Sequence, residues 1–112
     1  MAAVQGPFIL IATYVDTTRV LTASIKAKGP SEAEKLAASL QVLAKRANSD
    51  AEPETKTYRV VRSQDGLTFV VFEEYESEAG LDAHKNNPEF QKMFAESADL
   101  TTDFNMEFYK EI

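Results

Sequence analysis

The sequence has no cysteine and no tryptophan, one histidine, and only four glycines and four prolines in 112 residues. Without cysteine there is no disulfide and no thiolate metal site, which suits a reducing compartment and leads to the expectation of a cytoplasmic protein. A lone histidine leaves too few soft or borderline ligands for a transition-metal centre. Basic residues are scarce too: 12 Lys and Arg stand against 18 Asp and Glu, a net charge of −6. Binding phosphates needs a basic face, so no nucleic-acid partner is expected. Long hydrophobic runs are also missing. Phe8–Val15 falls far short of the roughly 20 residues that span a bilayer and has no basic region before it, so neither a membrane span nor an export signal is expected.

What is present is ordinary for one globular domain over residues 1–112, with 44% hydrophobic and 27% charged residues. The chain is organised around Leu67–Ala95, which reads as a strand, a short joint and a helix broken at a proline. Leu67, Phe69 and Val71 alternate with Val70 and Phe72, so both faces of this strand are apolar. Such a strand needs cover on two sides. The chain's own helices supply one cover, and a second copy of the chain is the expected other. A homodimer through the sheet follows, with Phe104, Met106 and Phe108 counted toward the same apolar surface.

Taken in order, Phe8–Val15 (FILIATYV) and Val20–Lys28 (VLTASIKAK) read as strands that could form a hairpin, with the central one left open. Gly29-Pro30 stops the second, and Ser31-Glu32-Ala33-Glu34 has the form of a capping box. Ala33, Leu36, Ala37, Leu40, Leu43, Ala44 and Ala47 then recur at helical spacing. Asn48–Lys56 is an acidic loop, Thr57–Arg62 a strand, and Gln64-Asp65-Gly66 a tight turn. Ser77 reads as the N-cap of a helix through Leu81 and His84. Asn87-Pro88-Glu89 starts another, with Asn87 as N-cap and Phe90, Met93 and Phe94 in its buried stripe. Asp99–Asp103 reads as a loop and Phe104–Tyr109 as a last strand. The order predicts an α+β fold: a ferredoxin-like split βαβ unit with helices on one face of an antiparallel sheet.

The acid-Pro loop within Ala51–Tyr58, the strand FVVFEEYES (Phe69–Ser77) and the helix LDAHKNNPEF (Leu81–Phe90) together resemble the antibiotic biosynthesis monooxygenase family. The ordered set carries the likeness, and no single motif does. The resemblance implies a dimeric α+β barrel, with the strand at 8–15 as an addition unless it is the true first strand. It also implies cofactor-independent oxygenation of an aromatic, polyketide or quinol-like substrate. Glu54 departs from the glycine usual after Glu52-Pro53. The haem-degrading branch uses Asn, Trp and His; this chain has no Trp, and Phe94 stands at the helix position of the haem-binding His. No cofactor is expected.

His84 is the group whose ordinary pKa lies near neutrality, and it is the candidate base for a phenol or activated C–H. It reads equally as a helix-end histidine bonded to a neighbour. Tyr58 and Tyr75 are candidates to bind a substrate oxygen, or core residues with hydroxyls at the rim. Phe90 and Phe94 are candidate pocket walls, or plain core. Glu73, Glu74 and Glu76 are split across faces by the strand period, which argues against a paired-carboxylate site. An isomerase or cyclase using the same cleft, or a non-catalytic dimeric binding protein, are the alternative functions.

Overall fold

A computed structural model describes residues 19–110 and 112. The expected strand at Phe8–Val15 lies outside the described residues. The elements are β1 (Arg19–Ala27), α1 (Pro30–Ala47), β2 (Thr55–Arg62), β3 (Thr68–Tyr75), α2 (Glu78–Lys85), α3 (Pro88–Leu100) and β4 (Thr101–Tyr109). The strands form one sheet in the order β2-β3-β1-β4, and every pairing is antiparallel. β3 therefore lies between β1 and β2, which α1 joins, and this is the split βαβ arrangement expected from the element order.

The core lies between the sheet and the helices. Leu36, Leu40 and Leu43 of α1 pack on Ala23 and Ile25 of β1 and on Phe69 and Val71 of β3, and all seven are buried. The two-residue period of β3 puts Phe69, Val71, Glu73 and Tyr75 on this side, while Val70 and Phe72 point to the open face. Val61 and Val70 are direct partners across β2 and β3, as are Arg59 and Phe72. With Thr57 these residues line a shallow depression on the open face.

Several local expectations change. The capping box at Ser31 does not form: Gly29 is the N-cap and Pro30 takes the first helical position, where its missing N–H costs nothing. Ser31 thus lies inside α1, its hydroxyl donating to Glu32 Oε1 at 3.2 Å, and Glu34 instead pairs with Arg62 at 2.6 Å. Asp99–Asp103 is not a loop, because α3 passes directly into β4 at Thr101. The Thr101 hydroxyl donates to the Ser97 carbonyl at 2.7 Å, satisfying an acceptor that the helix end would leave free. Phe104, Met106 and Phe108 face opposite to the expected direction. They lie directly across from Ile25, Ala23 and Leu21, and so share the helix side of the sheet rather than the face of Val70 and Phe72.

Candidate active site

The site forms where the loop before β2 meets the joint between α2 and α3. His84 sits in the last turn of α2, on the same side as Leu81, and is 1% exposed. The chain turns at Asn86 and Asn87 because Pro88 disfavours helical geometry in the residue before it. Asn87 caps α3, its Oδ1 accepting from the Phe90 N–H at 2.8 Å, and its Nδ2 donates back to the His84 carbonyl at 2.8 Å. Ser77 holds the N-cap position of α2 but caps nothing, since its hydroxyl donates to the Glu54 carboxylate instead. The Glu76 N–H donates to the Glu54 carbonyl at 2.9 Å. A Cβ on Gly80 would lie 2.8 Å from Glu54 Cβ, so a glycine there lets the loop approach the helix.

The loop so anchored carries Glu52 into the core, where it is 3% exposed. Its Oε1 lies 2.7 Å from His84 Nδ1 and accepts from the Thr55 hydroxyl at 3.4 Å. Its Oε2 takes Arg46 Nε at 3.2 Å and Asn87 Nδ2 at 3.3 Å. A carboxylate accepts only, so the short contact fixes the imidazole tautomer: Nδ1 carries the proton and Nε2 the lone pair. Nε2 is buried and has no hydrogen-bond partner among the described residues. Burial pushes the His84 pKa down, and this outweighs the opposing pull of Glu52, with Arg46 adding to the depression. The result is a neutral imidazole whose free nitrogen is shielded from solvent.

Three of the aromatic residues singled out in the sequence surround that ring. Tyr58 lies 4.9 Å from it between centroids, Phe90 5.4 Å and Tyr75 6.0 Å. Phe94 is one ring further out. It stacks on Phe90 at 5.9 Å, meets Phe104 edge-on at 5.8 Å, and is 53% exposed, so a row of rings runs from His84 to the surface. Both buried tyrosine hydroxyls have their pKa raised, chiefly by burial and then by Glu73.

Sequence reasoning did not single out Glu52, Asn87 or Glu73 as site residues. Glu52 was visible as part of an acidic loop and its acid-Pro motif, and Asn87 as a cap within the helix motif, neither with a site role. Glu73 had a signal of its own, since it shares the inward parity of Phe69, Val71 and Tyr75. It accepts from the Tyr75 hydroxyl at 2.6 Å, while Glu74 turns outward to Thr57 and Lys56.

A profile of the antibiotic biosynthesis monooxygenase family matches residues 21–96, well over half of the chain, from within β1 into α3. The chain belongs to the antibiotic biosynthesis monooxygenase family. No curated protein matches the sequence. Among solved structures, Rv0793 from Mycobacterium tuberculosis is similar at 24% identity and a TM-score of 0.76, over 86% of this chain and 96% of that one. SO0527 from Shewanella oneidensis aligns at 23% identity and 0.76, over 86% and 92%. PA3566 from Pseudomonas aeruginosa gives 23% and 0.76, over 88% and 98%. These likenesses show a shared α+β fold. No helix among the described residues is long and apolar enough to cross a membrane.

Proposed function

We propose that this chain is a small cofactor-independent monooxygenase acting on an aromatic, polyketide or quinol-like substrate, with His84 as the base. The observation that carries this reading is the buried, unpartnered Nε2 of His84, set among Tyr58, Tyr75 and Phe90 and oriented from behind by Glu52. A general base needs a neutral ring at working pH and a fixed direction of attack; burial supplies the first and the Glu52 contact the second. His84 Nε2 takes a proton from a phenol or an activated CH2 group of the substrate. The electron-rich carbanion adds dioxygen to form a C–O bond. Protonation gives a hydroperoxide; loss of the second C–H proton with O–O cleavage leaves a carbonyl and releases water. One oxygen atom enters the substrate and the other leaves in water, so no external reductant is required. Phe90 and Phe94 form the wall along which a planar substrate reaches the base.

The same reading includes a homodimer through the open face of the sheet. Its support is the family membership together with Val61, Val70 and Phe72, which are 51%, 38% and 40% exposed there. Light scattering at micromolar concentration should give twice the chain mass, and a monomer would remove the barrel from this account. Oxygen uptake with a naphthohydroquinone and with an anthrone tests the activity. Uptake lost in His84→Ala supports it. Isomerisation or cyclisation without uptake would favour the other enzyme class, and binding with no turnover a carrier.

A further inference from the structure

Glu73 and Tyr75 make a second buried polar pair beside the His84 ring, and the base at His84 does not use it. Glu73 is 5% exposed and Tyr75 fully buried, and the Tyr75 hydroxyl donates to Glu73 Oε1 at 2.6 Å. Among the described residues Glu73 makes no ion pair, unlike Glu52. Among the described residues, the ionisable groups around the pair are Tyr58, directly opposite Glu73 on β2, His84 from α2, and Glu52, which is itself paired with Arg46 of α1. The remaining described cover is apolar: Leu21, opposite Glu73 on β1, and Leu81 of α2 pack with Tyr75.

We propose that Glu73 is a positioning residue that decides whether Tyr75 offers its hydroxyl proton to a bound ligand. The ligand class so selected is a planar aromatic with an acceptor oxygen, such as a quinone or the second oxygen of a quinol. This rests on the reading of the His84 site as a substrate site given above. When Glu73 is ionised, its carboxylate holds the Tyr75 proton, and the phenol presents only lone pairs to a ligand. When Glu73 is protonated, its O–H donates to the Tyr75 oxygen, and the Tyr75 proton is free for the ligand. A phenol both donates and accepts, so each arrangement satisfies the buried pair. Burial pushes the Glu73 pKa up to about 7; the Tyr75 hydrogen bond opposes this and the charge of Glu52 adds to it, so the exchange falls near neutrality. A quinol meets both arms of the site, giving a hydroxyl proton to His84 Nε2 and accepting one from Tyr75.

The test is the binding of 2,3-dimethyl-1,4-naphthoquinone between pH 6 and pH 8.5, with 2,3-dimethylnaphthalene as the ligand lacking oxygen. Quinone affinity of the full chain should fall by roughly three- to tenfold with rising pH, the worth of one hydrogen bond, and hydrocarbon affinity should stay level. Glu73→Gln, whose amide donates to Tyr75 at every pH, should keep the tight value throughout, and Tyr75→Phe the weak one. A level quinone profile in the unaltered protein, a slope that survives Glu73→Gln, or no quinone binding would each overturn the proposal. If Glu73→Gln does not fold, infrared titration of the buried carboxyl replaces it: a midpoint matching the affinity change supports the proposal, and a mismatch overturns it. Oxygen uptake with 1,4-naphthohydroquinone, whose ring C–H positions are open to the oxygenation proposed above, is measured alongside. A slope without uptake removes the oxygenase reading alone, and uptake without a slope removes this inference alone.

Discussion

Glu52 and Glu73 are equally buried carboxyl groups in one core, yet their surroundings assign them opposite work. Glu52, on a loop, collects contacts from Arg46, Thr55, His84 and Asn87. Glu73, on a central strand, has the Tyr75 hydroxyl, no cation paired with it among the described residues, and the Glu52 charge nearby. Burial, above all, lifts its pKa to about 7. A buried charge persists where donors and a cation replace water, and where they are few the group takes up a proton instead. Glu52 is thus built as a firmly held acceptor that aims an imidazole, and Glu73 as a group that changes protonation under mild conditions.

Breaking the Glu52 side of this comparison should have the largest effect. Glu52→Ala leaves the His84 Nδ1–H buried without an acceptor, strips Asn87 of one partner, and frees the tautomer. A loss of about 3–5 kcal/mol in denaturant unfolding is expected, together with loss of turnover. Glu73→Gln, which keeps the shape and hydrogen-bonding capacity of the protonated acid, should unfold at nearly the denaturant concentration of the parent at pH 5. Equal costs for the two substitutions would erase the distinction.

His84→Ala comes next. It lowers stability by removing a buried ring from Glu52, but its effect on activity in the protein that remains folded should be far larger. Oxygen uptake should drop by about 10²- to 10⁴-fold while circular dichroism and oligomeric state remain those of the parent. His84→Gln should not restore it, because an amide holds a hydrogen bond but takes no proton. Full activity in either variant would leave Glu52 with a purely structural role.

The smallest effect is the pH dependence of stability, and it sharpens the contrast. Glu73 has a raised pKa in the folded protein, so between its unfolded value near 4.5 and about 7 the unfolded chain ionises first. The folded state then binds more protons, and stability falls as pH rises through that window, by up to about 3 kcal/mol at 1.36 kcal/mol per unit. His84 has the opposite slope: its depressed pKa means the unfolded chain protonates first below about 6.5, so stability falls as pH drops. Subtracting the Glu73→Gln profile from the parent profile isolates the first term, which should decline from pH 4.5 to pH 7 and then level. A flat difference would place Glu73 among ordinary carboxylates.

The fold was legible because its signals are local and periodic. The stripe Ala33–Ala47, the two-sided apolar run of β3 and the cap at Asn87 each report their own surroundings. The direction of Phe104, Met106 and Phe108 was not legible, since alternation gives two faces and only the pairing register of β4 with β1 says which is which. The extent of α3 was hidden for a related reason: the Thr101 hydroxyl ends the helix and the strand begins at the same residue. His84, Tyr58, Tyr75 and Phe90 stood out by residue type, and the structure brings them together. Glu52 lies 32 residues before His84, and nothing local to either reveals their contact. Glu73 was readable from parity, but its meaning depends on how few donors surround it, which only the packing of β1, β2 and α2 determines.

The central claim is that His84 is a neutral base whose lone pair sits on Nε2 because Glu52 holds the proton on Nδ1. As the chain has one histidine, nitrogen-15 NMR of the imidazole reads this without assignment. At pH 7 the account predicts a protonated Nδ1 and an unprotonated Nε2, with the ring taking up its second proton only below the ordinary histidine range. A ring doubly protonated at pH 7, or one with its proton on Nε2, would contradict it.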